Sequence, residues 1–223
     1  MSDDELGPGP RTRVRRLAKK ASYDEGVIFA ILDEAQMCHV AAVVHGKPVA
    51  LPTLHAREGR TLYLHGSPSN AVLKSLVRGG EGFVTATLFD GLRLARSGFE
   101  SSIAYRSVVI VGAAREVVDD VEKTRIFNLV VDRVLPGRAS EVRPLRESEL
   151  RLTMVVAVSI DEASAKVSSG PTDDDEVDME LSIWSGTVPT RLVYGTPIAD
   201  MNGAMASGVV AMPQSLKNLL GDA

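Results

Sequence analysis

Three short apolar segments, residues 38–44, 49–56 and 61–65, follow one another with only turns between them. His45-Gly46-Lys47 separates the first two and Arg57-Glu58-Gly59-Arg60 the second two. Each turn holds a glycine able to take positive φ, so the stretch reads as a β-meander. The third segment ends at His65-Gly66-Ser67-Pro68, where a helical pattern opens. Ser69 is placed to cap it, Val72, Leu73, Leu76 and Val77 form its apolar stripe, and Gly79-Gly80 stops it. A strand that runs through a small-residue loop into a helix start offers free amide N–H groups to an anion such as a phosphate.

The rest of the chain is read around this meander. Met1 to Pro10 is Gly/Pro-rich and acidic, the composition of a disordered lead. Arg11, Arg13, Arg15, Arg16, Lys19 and Lys20 make a basic arm, read as a solvated lead-in. Ser22 and Glu25 have capping-box spacing and open a helix to about Gln36. After the meander and its helix, GFVTATLFD and LRLARSG flank Asp90-Gly91, a hairpin signal. YRSVVIVGAAREV suits a central strand, and Asp119 or Asp120 caps a second amphipathic helix that Pro136-Gly137 stops. LTMVVAVSI is one more strand, Asp173 to Glu176 reads as a solvated acidic loop, and the chain from about Pro197 lacks periodicity. Six to seven short antiparallel strands with flanking helices predict a mainly β fold, a closed or nearly closed barrel. Several strands are apolar on both faces, which calls for a partner layer or a second subunit outside them.

Composition removes several functions. A formal net charge of −4 argues against nucleic acid as a partner. Cys38 is the single cysteine, so an intrachain disulfide and a cysteine zinc site are both excluded. No apolar run approaches the roughly 20 residues that span a membrane, and the N-terminus lacks a secretory apolar core. A cytoplasmic protein without a membrane partner is expected. G-x-S-x-G, H-E-x-x-H, the phosphate-loop motif and a strand-linked G-x-G-x-x-G are all missing, and no metal site is expected.

In order, YDEGVIFAILDEA, CHVAAVVHGKPVALPTLHAREGRTLYLHGS, LARSGF, YRSVVIVGAAREV, EASAKVSSGP and WSGTVPTRLV resemble the pyridoxamine 5'-phosphate oxidase-like FMN-binding split-barrel family. The nearest branch includes the nitroimidazole-resistance reductases. The resemblance spans about residues 11–195 and implies a split β-barrel homodimer with FMN at the subunit interface. It divides the chain into a flexible basic arm (1–20), an FMN-binding split-barrel domain (21–195) and a loosely ordered tail (196–223). The activity it implies is that of an FMN-dependent oxidoreductase acting on a small molecule.

The resemblance also assigns residues. Pro52, Thr53 and Leu54 run beside the flavin ring, and His65, Gly66 and Ser67 approach its phosphate, with Lys74 further along the helix. Tyr105, Arg106 and Ser107 come to the phosphate or ribityl end from the other subunit, and Trp184 and Arg191 stand by the flavin near the C-terminus. His65 matches a histidine placed near the flavin in the nitroimidazole-reductase branch and is the candidate catalytic residue. Where that branch usually carries a basic residue this sequence has Ala71, and Glu100 stands in the loop before Tyr105. His39, His45, His55 and His65 all fall in the meander, so haem binding in the same fold is the alternative. A non-catalytic cofactor sensor or a structural dimer is the third reading.

Overall fold

The apolar runs form an antiparallel sheet with helices on its flanks. A computed structural model describes residues 6–199 and 211–221 of the chain. Strand β1 (Ala21–Ser22) and helix α1 (Glu25–Glu34) precede the meander, which is built of β2 (Cys38–Val44), β3 (Lys47–Thr53), β4 (His55–Glu58) and β5 (Thr61–Gly66). Then come α2 (Ala71–Gly79), the long strands β6 (Glu81–Leu94) and β7 (Ser102–Val117), α3 (Asp120–Val134) and α4 (Glu147–Arg151). The chain continues through β8 (Met154–Ser159), β9 (Glu162–Ser168), β10 (Gly186–Pro189) and α5 (Gln214–Leu220). The strand total exceeds the expected six or seven because short pieces such as β1, β4 and β10 form separate ladders.

The strands run in the order β3-β2-β6-β7-β8-β5-β4, with β9 beside β7, β1 beside β9 and β10 beside β6. The sheet is not closed into a ring, which makes the barrel a split one. The split has a local cause. β7 pairs with β6 as far as Ala113 and with β9 as far as Val111, then passes to β8 from Ala114. At this transfer Gly82 faces Gly112 across the β6–β7 ladder. A Cβ on Gly112 would lie 1.7 Å from the Ser159 carbonyl oxygen, and one on Gly82 would lie 2.7 Å from Val158 Cγ1. Glycine alone admits β8 at this distance.

Strand alternation sorts the side chains into two layers. Leu62, Leu64, Val156 and Val158 point into the barrel, where Ile28, Ile31 and Leu32 of α1 and Val72, Leu73 and Leu76 of α2 close on them. The intervening Tyr63, Val155 and Ala157 face the other way, against Ile126 and Val130 of α3. Cys38 lies in the barrel core, where burial pushes its thiol up to about 12 and leaves it inert.

Several local expectations change. Asp24, not Ser22, caps α1, its Oδ1 accepting from the Val27 N–H at 2.8 Å, and the helix ends at Glu34. Asn70, not Ser69, caps α2 by accepting from both Val72 and Leu73 N–H. Asp90-Gly91 is not a hairpin turn: β6 runs through it with a bulge between Phe89 and Gly91. β10 is the reason, since a Cβ on Gly91 would lie 2.4 Å from the Val188 carbonyl oxygen. The N-terminal lead is packed from Leu6 onward. Leu6 is buried and donates its N–H to the Tyr23 carbonyl at 3.1 Å, and Arg11 pairs with Glu81 and Glu162. The acidic run is anchored as well: Asp174 accepts from the Arg96 N–H, from Arg96 Nη1 and from Thr172 Oγ1, bonds that hold its carboxyl below the usual range. In the stretch expected to be a loose tail, Gln214–Leu220 is helical, while residues 200–210 lie outside the described residues. No helix among the described residues is long and apolar enough to cross a membrane.

Candidate functional site

The sequence-selected residues fall into three groups. The first lies where β5 meets α2. The register that pairs His55 with Leu64 brings Leu54 alongside His65, so the ends of β3 and β5 converge there. Gly66 packs closely there: a Cβ on it would lie 3.0 Å from Leu73 Cδ1 and would have to push that side chain aside. Ser67 Oγ accepts from the Ser69 N–H at 3.2 Å, and Asn70 covers the Val72 and Leu73 amides. The helix start therefore has fewer open donors than its sequence promised: of its first three amides, Ala71 N–H remains for an incoming anion. Lys74 stands exposed one turn further on.

His65 is half-buried on the layer facing α3, its ring edge-on to Phe127 with centroids 5.7 Å apart. Its Nδ1 is buried without a hydrogen-bond partner. Burial lowers its pKa below the ordinary 6.5, so the imidazole is neutral at pH 7. His55 differs in kind. It is 1% exposed inside the barrel with Nε2 on the Leu32 carbonyl at 2.9 Å, a position that serves packing.

The second group lies on the outer face of the sheet. One row runs Pro52, His39, Thr85, Val109 and Ser164 across β3, β2, β6, β7 and β9. The next holds Thr87, Ser107 and Lys166, and Phe89, Tyr105 and Ser168 follow. This face is built of small hydroxyls and imidazole between aromatic rings, and Phe83, Phe89 and Val43 on it are exposed. β3 is the terminal strand of the sheet among the described residues, so one side of its backbone is left open near Pro52 and Thr53, where Pro52 offers a C=O but no N–H.

The third group sits at the far end of the β6–β7 ribbon. β10 pairs with Gly91 to Leu94, six residues beyond Thr85, or about 20 Å at the usual rise per residue. Trp184 precedes β10, 65% exposed, and packs close to Gly186, whose Cβ would lie 3.0 Å from the indole. Arg191 follows β10 and is exposed. Trp184 and Arg191 thus flank β10 at the end of β6 opposite Glu81, where the chain enters β6 from α2.

Arg106 points away from Tyr105 and Ser107 and is already occupied. It forks onto Asp90 (Nε–Oδ2 2.9 Å, Nη2–Oδ1 2.7 Å) and onto Glu34 (Nη1–Oε2 2.5 Å, Nη2–Oε1 2.8 Å). No local pattern signals these partners, which come from α1 and from the bulge. The guanidinium holds Glu34 below its ordinary 4.5, so the pair contributes fully above that pH and is lost as pH falls further. Arg106→Met is expected to cost about 1–2 kcal/mol in a urea melt at pH 7, because the network is partly exposed. The cost should shrink in acid as Glu34 protonates, below its ordinary range, and a stability loss that ignores pH would count against the ion network.

A family model described as pyridoxamine 5'-phosphate oxidase matches residues 24–167. Among solved structures, the chain is similar to the flavocytochrome Anf3 from Azotobacter vinelandii, with 34% identity over 95% of this chain and 97% of that one and a TM-score of 0.88. It is similar to the FAD and haem binding protein from Mycobacterium smegmatis, again at 34% identity, over 91% and 98%, with a TM-score of 0.83. A proposed 5-nitroimidazole antibiotic resistance protein from Bacteroides thetaiotaomicron shares the fold at 23% identity over 66% and 86%, with a TM-score of 0.57. No curated protein matches the sequence.

Proposed function

Because the chain belongs to the pyridoxamine 5'-phosphate oxidase family, we propose that it is a flavin- and haem-binding oxidoreductase of a small molecule, working as a homodimer. The observation that carries this reading is the extent of the likeness. The family model stops at residue 167, whereas the flavocytochrome and the FAD- and haem-binding protein align over more than nine-tenths of the chain. Beyond residue 167 the chain exposes Leu181, Ile183, Trp184, Leu192 and Val193, apolar side chains that a planar cofactor or a second subunit would cover.

The residues fit a flavin. The open edge of β3 offers backbone carbonyl acceptors to the ring beside Pro52, Thr53 and Leu54, with N–H donors from Thr53 and Leu54 alone. Ala71 N–H, Ser67 and Lys74 are the donors available to its phosphate at the β5–α2 junction. They fit haem through His65, a neutral, half-buried imidazole whose inner nitrogen lacks a partner and whose other nitrogen is left to a metal. The two cofactors supply hydride and one-electron chemistry when bound, and the protein positions them and excludes water. In the homodimer, the exposed outer face carrying Phe83, Phe89, Tyr105 and Ser107 meets the partner. Trp184 and Arg191, which flank β10 at the far end of β6, then serve the partner's site.

FMN, the cofactor to which the sequence points, and FAD share the ring, the ribityl chain and the first phosphate, and the junction serves either. The test is the absorbance spectrum of the purified full-length protein, since the cofactors are the chromophores. A flavin band near ~450 nm together with a Soret band near ~400 nm is the expected result. A flavin band alone, with haem added and removed by desalting, would leave the FMN-dependent reductase. Neither band after supplying both cofactors would overturn the proposal.

A further inference from the structure

A single guanidinium closes a loop after β9. Arg96 Nη1 reaches Asp174 Oδ2 at 2.9 Å and Ser185 Oγ at 2.8 Å, so both ends of residues 174–185 are tied to one side chain. The Arg96 N–H adds a bond to Asp174 Oδ1 at 2.6 Å, and Arg93, itself buried, holds the lead into the loop through the Pro171 carbonyl. The loop is fixed at its base, yet its body is bare: Val177 is 81% exposed, Met179 60% and Ile183 50%. Asp175, Glu176 and Glu180 stand exposed among them, and their carboxylates have no partner among the described residues. Apolar side chains held outward on a preorganised loop mark a docking surface.

The basic arm has the opposite charge and the same lack of cover. It is anchored by Arg11 on Glu81 and Glu162, by Val14 N–H on the Tyr23 hydroxyl at 3.1 Å, and by Lys20 Nζ on Ser168 Oγ at 3.1 Å. Between these anchors Arg13, Arg15, Arg16 and Lys19 are exposed, and their side chains have no ion-pair or hydrogen-bond partner among the described residues. Leu17 sits in their midst, 46% exposed and held at φ 55, a left-handed conformation that a leucine adopts only at a cost. Arg93 Nη1 also reaches Ser168 Oγ, at 3.4 Å, so the end of the arm and the start of the loop meet at this serine. Their opposite charges nevertheless stay unpaired within the chain.

We infer that in the homodimer the basic arm of each protomer clasps the acidic and apolar loop of the other, with Arg13, Arg15 and Arg16 set against Asp175, Glu176 and Glu180. The inference rests on the homodimer reading above. A two-fold contact is isologous, so an arm that meets a loop implies a loop that meets an arm. Both features must then lie near one axis, as their meeting at Ser168 allows. Ser168 continues the row of Phe89 and Tyr105 on the outer face, which makes the clasp the edge of the same interface. Nucleic acid or an anionic lipid surface would also attract the arm, but the neighbouring loop would repel either. A second copy of this chain carries both signs and suits both features.

Sedimentation of the full-length protein over a range of concentrations, at low and at high salt, tests this. The wild-type dimer should weaken as salt rises. Reversing the arm (Arg13→Glu, Arg15→Glu, Arg16→Glu) should weaken the homodimer at least about tenfold at low salt, and reversing the loop (Asp175→Lys, Glu176→Lys, Glu180→Lys) should do the same. Both sets leave Arg11, Lys20, Arg96 and Asp174 in place, and an unchanged circular dichroism spectrum checks the fold. Mixed in equal amounts, the two variants should recover near wild-type affinity as a heterodimer, since each reversed arm then faces a reversed loop. Repair only when all the substitutions share one chain would mean a clasp within the protomer and overturns the inference. Variants that dimerise like wild type also overturn it and leave the homodimer reading standing. A monomeric wild type overturns both.

Discussion

Gly112→Ala should unfold this protein far more readily than a methyl added at an open glycine. The added Cβ would stand 1.7 Å from the Ser159 carbonyl oxygen and 2.6 Å from its carbon, so the obstacle is backbone and no rotamer change relieves it. β7 passes from β6 and β9 to β8 at this residue, and separating the strands there opens the barrel interior between Val84, Ile110 and Val158. A loss of about 3 kcal/mol or more is expected, at the upper end of overpacking costs, because neither neighbour can shift without breaking a ladder. Urea denaturation reads it as a lower midpoint at constant slope. Gly79→Ala is the control. Nothing lies within 4 Å of its added Cβ, and an alanine there should be neutral or stabilise by up to about 1 kcal/mol. A Gly112→Ala midpoint equal to wild type would mean that β8 does not cross β7 at this distance.

His65→Ala is expected to remove the Soret band of the haem-loaded protein entirely while the flavin band remains. An alanine leaves iron without the imidazole that would hold it, whereas the flavin donors lie on β3 and at the start of α2. The layer around His65 tolerates the change, because the ring is half-buried and its Nδ1 makes no hydrogen bond that would be lost. Acid should act in the same direction as the substitution. Since burial lowers the folded pKa below 6.5, the folded state resists protonation and the imidazole stays a neutral donor until the pH falls below that value. Haem retention should therefore persist through neutral pH and be lost only in acid, below the ordinary imidazole range. An unchanged Soret band in His65→Ala would remove His65 as a ligand.

Much of the fold was legible because its signals are local. Two turns with glycine at positive φ (Gly46, Gly59) and the alternation of Leu62, Tyr63 and Leu64 mark the meander wherever the strands pack. Asp119 capping α3 by accepting from the Glu122 N–H is a three-residue relationship, and it held. Asp90-Gly91 failed because a turn dipeptide says what the backbone can do, and the strand that later pairs with it, β10, lies about a hundred residues away in sequence. Ser22 and Ser69 lost their caps to Asp24 and Asn70 for a smaller reason: adjacent residues with the same chemistry compete, and the helix register picks one.

By itself the sequence determined the strand and helix periods, the family and the stretch at which cofactor chemistry would concentrate, since each is written in neighbours or in ordered blocks of residues. The tertiary structure decided how charges and close approaches pair across long loops. It gave Arg106 to Asp90 and Glu34, clasped Asp174 with Arg96, set His45 opposite Lys74 and Arg78, and sent His55 into the barrel while turning His65 toward α3. A guanidinium's partner depends on which strands lie side by side, and a glycine's necessity on which backbone crosses it. Both follow from packing between segments far apart in the chain, where composition and period carry no record of the register.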